Sequence, residues 1–462
     1  MVDHRPLPFT FASSPMKLPS IPHPLALLVG GIVLATALTW VIPPGAYDRR
    51  EDPATKRTVV VNGTYHRVEP APVGAGAMLV AIPVGLEKGA DVIFFVLLAG
   101  GALVVLDRTG ALQHALDALA RALGENEVLV VPVMCLFFGT MGAVENMQEE
   151  IIALMPLLLI VVRGVGFDAL TAAMMSAGAA MVGSAFSPIN PFQSLIAQRL
   201  AGLQPASAWP FRSIMLALAM IFWITITMRR AMRTRGARQH AEPRPAGASA
   251  VRTPLAGWLA LIALGVFIAG VTKWDWGFEE MGALFFAMGA TVGLVGGLGV
   301  KRTSEGFADG FAQVAYASLL IGFARVISVV LEQGRVMDTI VYALFTPLAH
   351  LPLVASAAGM MAAQGLIHVI VPSVSGQAAL TMPVLVPLSD LLGMSRQVTV
   401  LAYQGGAGLC ELVTPTNGAM MAVIASAGVT YPQWIKAILP AVAMLAAGAL
   451  VAIYVALLIG LQ

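Results

Sequence analysis

Charge is what this sequence has least of. Asp, Glu, Lys and Arg supply only 11% of its 462 residues, less than half of the roughly 25% found in a soluble globular protein. Hydrophobic residues supply 58%, and the mean hydropathy is +0.82. No water-soluble core takes up that much apolar surface, and disordered chains are polar and charged, so lipid must solvate the bulk of the chain. Cysteine is scarce as well. Cys135 and Cys410 both lie in apolar stretches, which argues against a disulfide framework. Also missing are H-E-x-x-H, a cysteine pair at metal spacing, G-x-S-x-G and the phosphate-cradling G-x-x-x-x-G-K-S/T. Metal hydrolases and ATP-driven pumps therefore have no support. The net charge of +2 leaves no electrostatic footprint for nucleic acid, and no cofactor or resident metal is expected.

Glycine (46) and proline (29) are abundant for so apolar a chain, and in membrane helices they mark close packing, kinks and breaks. Residues 1–23 form a polar N-terminal segment, expected to be cytoplasmic. Pro24 to Ile42 reads as a retained membrane helix rather than a signal peptide, followed by a polar loop from Pro43 to about Val73. Apolar segments then fill a first membrane repeat, 24–228. A basic linker follows, 229–254, with Arg229, Arg230, Arg233, Arg235, Arg238, Arg244 and Arg252 against the single acid Glu242. The excess of arginine places this linker in the cytoplasm. A second membrane repeat, 255–462, completes the chain.

The two halves share landmarks in one order. Val104-Val105-Leu106-Asp107 matches Val329-Val330-Leu331-Glu332 at an offset of 225 residues, and Met155-Pro156 matches Met382-Pro383 at 227. Ser187-Pro188-Ile189-Asn190 matches Thr414-Pro415-Thr416-Asn417 at 227, and Trp209-Pro210 matches Tyr431-Pro432 at 222. Duplicated membrane halves with breaks in equivalent places are a signature of secondary transporters.

The paired breaks carry the strongest chemical signal. A hydroxyl followed by proline reads as a helix start, the hydroxyl capping free N–H groups and the proline needing no bond of its own. A helix beginning near the midplane aims its positive dipole end at the occupant of a polar cavity, and a carboxylate suits it. The alternative is a simple proline kink. Upstream of each break lies a polar patch between apolar arms, Glu145-Asn146-Met147-Gln148-Glu149-Glu150 and Pro372-Ser373-Val374-Ser375-Gly376-Gln377. Both read as tips of re-entrant hairpins, the first acidic and the second neutral; a water-exposed loop is the blander reading. Glu149 and Glu150 can bind Na⁺, carry a proton or receive a substrate amine. Arg325, His368 and Glu411 also fall inside apolar runs, open to charge pairing, coupling or substrate contact.

These residues resemble a known family. Gln148-Glu149-Glu150, the run Ser375-Gly376-Gln377-Ala378-Ala379-Leu380-Thr381-Met382-Pro383, and Ser395-Arg396-Gln397 ahead of Thr414-Pro415-Thr416-Asn417-Gly418 are similar to the YfcC/DcuC group. These are bacterial inner-membrane carriers of the ion transporter superfamily, described both as four-carbon dicarboxylate carriers and as basic amino-acid antiporters. The resemblance implies two inverted repeats, paired hairpins, a scaffold and a mobile transport unit in an elevator-type homodimer. The chain departs from the family pattern at Gln404-Gly405-Gly406-Ala407-Gly408, where an Asp is common, and at His368, where an Asn is common.

The expectation is an all-α, polytopic integral membrane protein of the bacterial inner membrane, with two inverted repeats, each holding a re-entrant hairpin and a broken helix. It is expected to act as a symporter or antiporter of small carboxylate-bearing organic ions, amino acids ahead of dicarboxylates, with Na⁺ or H⁺ as coupling ion. Its expected partners are the substrate, the bilayer and a second copy. The substrate residues are Asn146, Glu149 and Glu150 from the first tip; Ser187 and Asn190 from the first break; Ser373, Ser375 and Gln377 from the second tip; and Thr414, Thr416 and Asn417 from the second break. Acidic tips without a matching basic cluster favour an amine-bearing solute, and Arg325 argues the other way. The rival from another class is an intramembrane enzyme pairing a serine of the second tip with His368.

Overall fold

The computed structural model describes residues 24–52, 57–111, 128–236, 253–274 and 276–461. The N-terminal segment and most of the basic linker lie outside the described residues. Among the described residues, eight helices are long and apolar enough to cross a membrane. Trp40, Trp209, Trp258 and Trp274 stand exposed near helix ends, the placement expected of aromatic anchors at the lipid–water boundary. The two cysteines are free.

The frame is built on glycine. Helices Ala75–Lys88 and Ala90–Arg108, separated only by Gly89, run antiparallel along the 35-residue helix Gly299–Gln333. A Cβ added to Gly310 would lie 2.5 Å from the Gly101 Cα, and one on Gly85 would lie 2.4 Å from Val326 Cγ2. The 225-residue offset maps Gly85 onto Gly310 and Gly101 onto Val326, so these two contacts are symmetry mates. Lipid gives apolar helices no hydrophobic reason to associate, and close backbone approach supplies dispersion in its place. Ion pairs flank the seam, Lys88–Glu332 at 2.8 Å near one end and Arg108–Asp309 at the other. At about 1.5 Å per residue the long helix measures roughly 52 Å, so it extends well past the apolar run Val314–Leu331.

Each half also carries a hairpin and a broken helix. The first hairpin joins Val130–Glu145 to Glu150–Val165, and the second joins Leu353–Ile370 to Val374–Leu391, each through a short polar tip. The first broken helix occupies Ala169–Leu200 and contains π turns at Met174–Gly178 and Pro191–Leu195. The second runs from Arg396 through a π turn at Gln404–Gly408 and resumes as Gly418–Ser426. They run in opposite directions. Arg396, at the start of the second, donates to the Ala201 carbonyl at the end of the first (2.9 Å), while Asp168 at the start of the first shares a cleft with Gly428 and Val429 at the end of the second. The repeats are therefore inverted.

The helix restarts correct one expectation. They lie at Asn190-Pro191 and Asn417-Gly418, three residues after Ser187-Pro188 and Thr414-Pro415. Asn190 Oδ1 accepts from the N–H groups of Phe192 and Gln193, both at 2.9 Å, and Asn417 Oδ1 accepts from Met420 N–H at 3.1 Å. Ser187 instead ends the preceding helix, its hydroxyl folding back onto Ile189 N–H and Asn190 N–H, a local turn that short hydroxyl side chains favour over helix. The residue before a proline is also pushed out of the helical region.

The loop after the first helix is structured. Gly45–Ala46 pairs with His66–Arg67, and Arg49–Asp52 pairs with Arg57–Val60, both antiparallel. This flap is pinned to helix Met337–Phe345. Asp338, 4% exposed, accepts from Tyr47 N–H and pairs with Arg49 at 2.9 Å. The Tyr65 ring stacks on Tyr342 with centroids 4.1 Å apart. Burial, with Asp338 nearby, holds the Tyr47 hydroxyl well above its usual pKa. Strand Arg57–Val60 leans on the second hairpin arm Val374–Leu391.

Gly183→Ala tests the close approach inside the first half, because the new Cβ would sit 2.0 Å from the Gly139 carbonyl oxygen, a backbone atom. We expect a loss of about 1–3 kcal/mol, typical of overpacking, read as a lower thermal unfolding midpoint in detergent. Gly448→Ala, with nothing within 4 Å, should leave the midpoint unchanged.

Candidate functional site

A cavity of about 850 Å³ opens on the flap side, between the two hairpin tips, both breaks and the long frame helix. Its size suits a small organic solute. Arg49, Val60, Lys88, Trp276 and Glu332 line its mouth, and the tips and breaks line its depth. Among the described residues no group of His, Cys, Asp and Glu side chains is arranged to hold a metal ion.

Most of the expected site residues converge here. Asn146, Glu149, Glu150, Ser373, Ser375, Thr416, Asn417, Arg325 and Glu411 all line the cavity. Ser187, Asn190, Gln377, Thr414 and His368 do not. They are buried behind it and hold the wall in shape. Asn190 is the knot of the first break: its Nδ2 donates to the Gly142 carbonyl (2.9 Å), Ser184 Oγ (3.2 Å) and Asn146 Oδ1 (3.3 Å) while its Oδ1 caps the helix restart. Asn146 takes a left-handed conformation (φ 59°) at the end of the first arm, which asparagine tolerates better than most residues. Thr414 bonds Thr416 at 2.9 Å, and Thr416 Oγ1 donates to the Val369 carbonyl at 2.7 Å. Gln377 joins His368 Nδ1 (2.9 Å) to the Gln364 carbonyl (2.7 Å), tying the two arms of the second hairpin together. Ser373 accepts from Gly376 N–H. No hydrogen bond joins His368 to Ser373 or Ser375 among the described residues; its Nδ1 is taken by Gln377.

The two breaks differ in what they leave free. Around the first, Asn190 takes the Phe192 and Gln193 donors and Pro191 has none to offer. Around the second, Asn417 takes only Met420, and the N–H groups of Gly418 and Ala419, first in their helix and lacking an i−4 partner within it, stand at the cavity wall. Gly418 packs directly on Ile321 and Ala324, which brings that helix start beside Arg325. Arg325 is exposed to the cavity and makes no ion pair among the described residues. Two amide donors, a helix dipole and a guanidinium therefore share one corner, a suitable seat for a carboxylate. The carboxylates of Glu149, Glu150 and Glu411 line the same cavity. Glu150 opens its own helix and accepts from Gln148 N–H at 3.1 Å.

Sequence reasoning missed several partners. Gln148 Nε2 and Gln193 Nε2 both donate to Glu411 Oε2, at 2.8 and 3.1 Å. Gln148 was visible inside the acidic tip, whereas Gln193 gave no signal because its repeat mate is Met420. Arg212 was also missed. It is 1% exposed and donates to Gln404 and to Gln397 (3.0 Å), while Gln404 Nε2 reaches the Ser187 carbonyl at 2.9 Å. An arginine in the first turn of a span looks like an ordinary interfacial residue.

Inverted repeats, broken helices and a polar cavity at membrane depth define a polytopic carrier. The chain belongs to the DcuC family: residues 21–460 match the model of the C4-dicarboxylate anaerobic carrier. It is 30% identical over 475 residues to "Putative basic amino acid antiporter YfcC" of Escherichia coli (strain K12), covering 92% of this chain and 94% of that one. It is 28% identical over 492 residues to an uncharacterized protein of Haemophilus influenzae, covering 94% and 96%. Among solved structures it is similar to the YdaH transporter of Alcanivorax borkumensis (TM-score 0.43, 18% identity, 95% and 99% covered) and to MtrF of Neisseria gonorrhoeae (TM-score 0.37, 17% identity, 94% and 95% covered). The protein is a multi-pass transporter of the bacterial inner membrane.

Asn190→Ala should cost about 2–3 kcal/mol of stability, since it removes a cap and orphans buried partners. Ser375→Ala, a change at the cavity wall, should stay within about 0.5 kcal/mol. Thermal unfolding of the two purified variants beside the parent checks both values.

Proposed function

We propose that this carrier moves amino acids with a positively charged side chain, and that its transport unit of hairpins and broken helices shifts against the glycine-seamed frame. One observation carries the substrate reading: the cavity is a two-signed site. Arg325 and the Gly418–Ala419 helix start offer positive charge and donors for a carboxylate, and Glu149, Glu150 and Glu411, which line the same cavity, offer negative charge for an ammonium or guanidinium. The other cations at the cavity are already engaged, Lys88 with Glu332 and Arg49 with Asp338. A dicarboxylate would satisfy the corner but set its second carboxylate against acids, a costly like-charge contact in a low-dielectric site. The name carried by the Escherichia coli relative accords with this reading; the family's own description favours the dicarboxylate.

Reconstituted protein separates the two. In proteoliposomes preloaded with unlabelled solute, labelled arginine, lysine or ornithine should exchange saturably, whereas succinate or fumarate should neither exchange nor compete. Exchange of the dicarboxylates alone would overturn the assignment. Arg325→Gln should raise the apparent KM by about tenfold, the equivalent of one charge-assisted hydrogen bond, with little change in thermal stability.

A further inference from the structure

Glu411 is set apart from the other acids of the cavity by its partners. It is 5% exposed and lies between the second π turn and the second break. Its carboxylate is held by two neutral amides of the other repeat, Gln148 from the first hairpin tip and Gln193 from the restart of the first broken helix. No arginine or lysine pairs with it among the described residues. A cationic partner would pin the group in its ionised form. An amide does not, because a half-turn of its terminal group exchanges donor for acceptor and serves the acid as well as the carboxylate. Gln193 has the freedom to do so: its Oε1 is buried with no hydrogen-bond partner. The repeat mate of Glu411 is Ser184, a hydroxyl that donates to Asn146 Oδ1 at 2.5 Å. The second half thus has an ionisable group where the first has a fixed donor.

The surrounding titratable and charged groups bear on the same point. Glu149 and Glu150 face the cavity from the first tip, Glu145 from the arm above it, and Arg325 from the frame helix. Cys410 precedes Glu411, and Tyr431 donates to the nearby Val413 carbonyl. Among the described residues lining the cavity, carboxylates outnumber the cations that make no ion pair. A bound cationic substrate lessens that excess of negative charge and its departure restores it, and buried carboxylates at membrane depth are expensive.

We propose that Glu411 is the proton-exchanging group of the carrier: a proton from the aqueous cavity adds to its carboxylate when the cationic solute leaves and returns to the cavity when solute binds. Solute and proton are then alternatives at one acidic wall, which makes the transport an antiport of organic cation against H⁺. This rests on the cationic-substrate reading above; the tracer is whichever solute the wild type exchanges, so exchange of dicarboxylates alone overturns that reading, and with a cationic tracer the proton assay tests the role of Glu411 separately.

Glu411→Gln is the informative variant. The new amide oxygen still accepts from Gln148 and Gln193, yet the position can no longer gain or lose a proton. Wild type and variant are reconstituted into vesicles with a trapped pH dye, and three quantities are read: tracer exchange at equal pH, accumulation driven by a pH gradient, and proton movement accompanying solute flux. Because the variant also removes one acid of the binding wall, its exchange is expected at a raised apparent KM; at saturating solute, exchange persists while gradient-driven accumulation and solute-coupled proton movement are lost. If the variant retains accumulation, or loses exchange along with it, the assignment is overturned. Wild-type accumulation that follows a Na⁺ gradient and ignores a pH gradient overturns it as well.

Discussion

Everything in this molecule answers to one constraint: a peptide group inside a bilayer must find its hydrogen-bond partner within the protein. A broken helix violates that rule at its break. Asn190 repairs the first violation with one side chain, capping the new helix with its oxygen and holding the opposing hairpin arm with its nitrogen. The second break is closed more loosely, through Thr414, Thr416 and Asn417, and it is the loosely closed one that leaves amides at the cavity wall. Complete satisfaction makes a wall, and incomplete satisfaction makes a binding corner.

The site arises where duplication has been undone. Arg325 occupies the position equivalent to Gly100, which lies buried against Val314 in the first half. Glu411 replaces the equivalent of Ser184, and the acidic pair Glu149 and Glu150 faces Gly376 and Gln377 across the repeat. Retained symmetry builds the frame, as in the matched contacts Gly85–Val326 and Gly101–Gly310. Lost symmetry supplies the charges. A cavity with two identical halves would present the same chemistry twice and could not bind the two ends of a dipolar solute.

Much of this was legible in the chain, for physical reasons that also explain what was not. Hydropathy and proline placement locate spans and breaks because lipid punishes every exception. The repeat offsets identify equivalent positions without any coordinates. Helix restarts were misplaced by three residues, because Ser-Pro and Asn-Pro are both start signals and only the fold decides which is used. Ser187, Asn190 and Gln377 read as ligands and turned out to lie behind the wall, since a buried amide that closes a backbone looks in sequence like one that receives a solute. Arg212 and Gln193 were hidden because their significance depends on partners some two hundred residues away. The flap escaped too: short strands held by Asp338 and Tyr342 leave little periodic pattern.

The flap has a consequence for how the molecule rests. Both of its ends continue into frame helices, Pro24–Val41 and Ala75–Lys88, while its strand with the buried Val59 and Val60 lies against an arm of the second hairpin. A displacement of that hairpin relative to the frame would loosen the packing of this strand. Uncovering buried apolar surface costs about 25 cal/mol per Å², so the contact acts as a thermodynamic bias on the resting population rather than as a door. In the structure the cavity opens on the side where the flap lies.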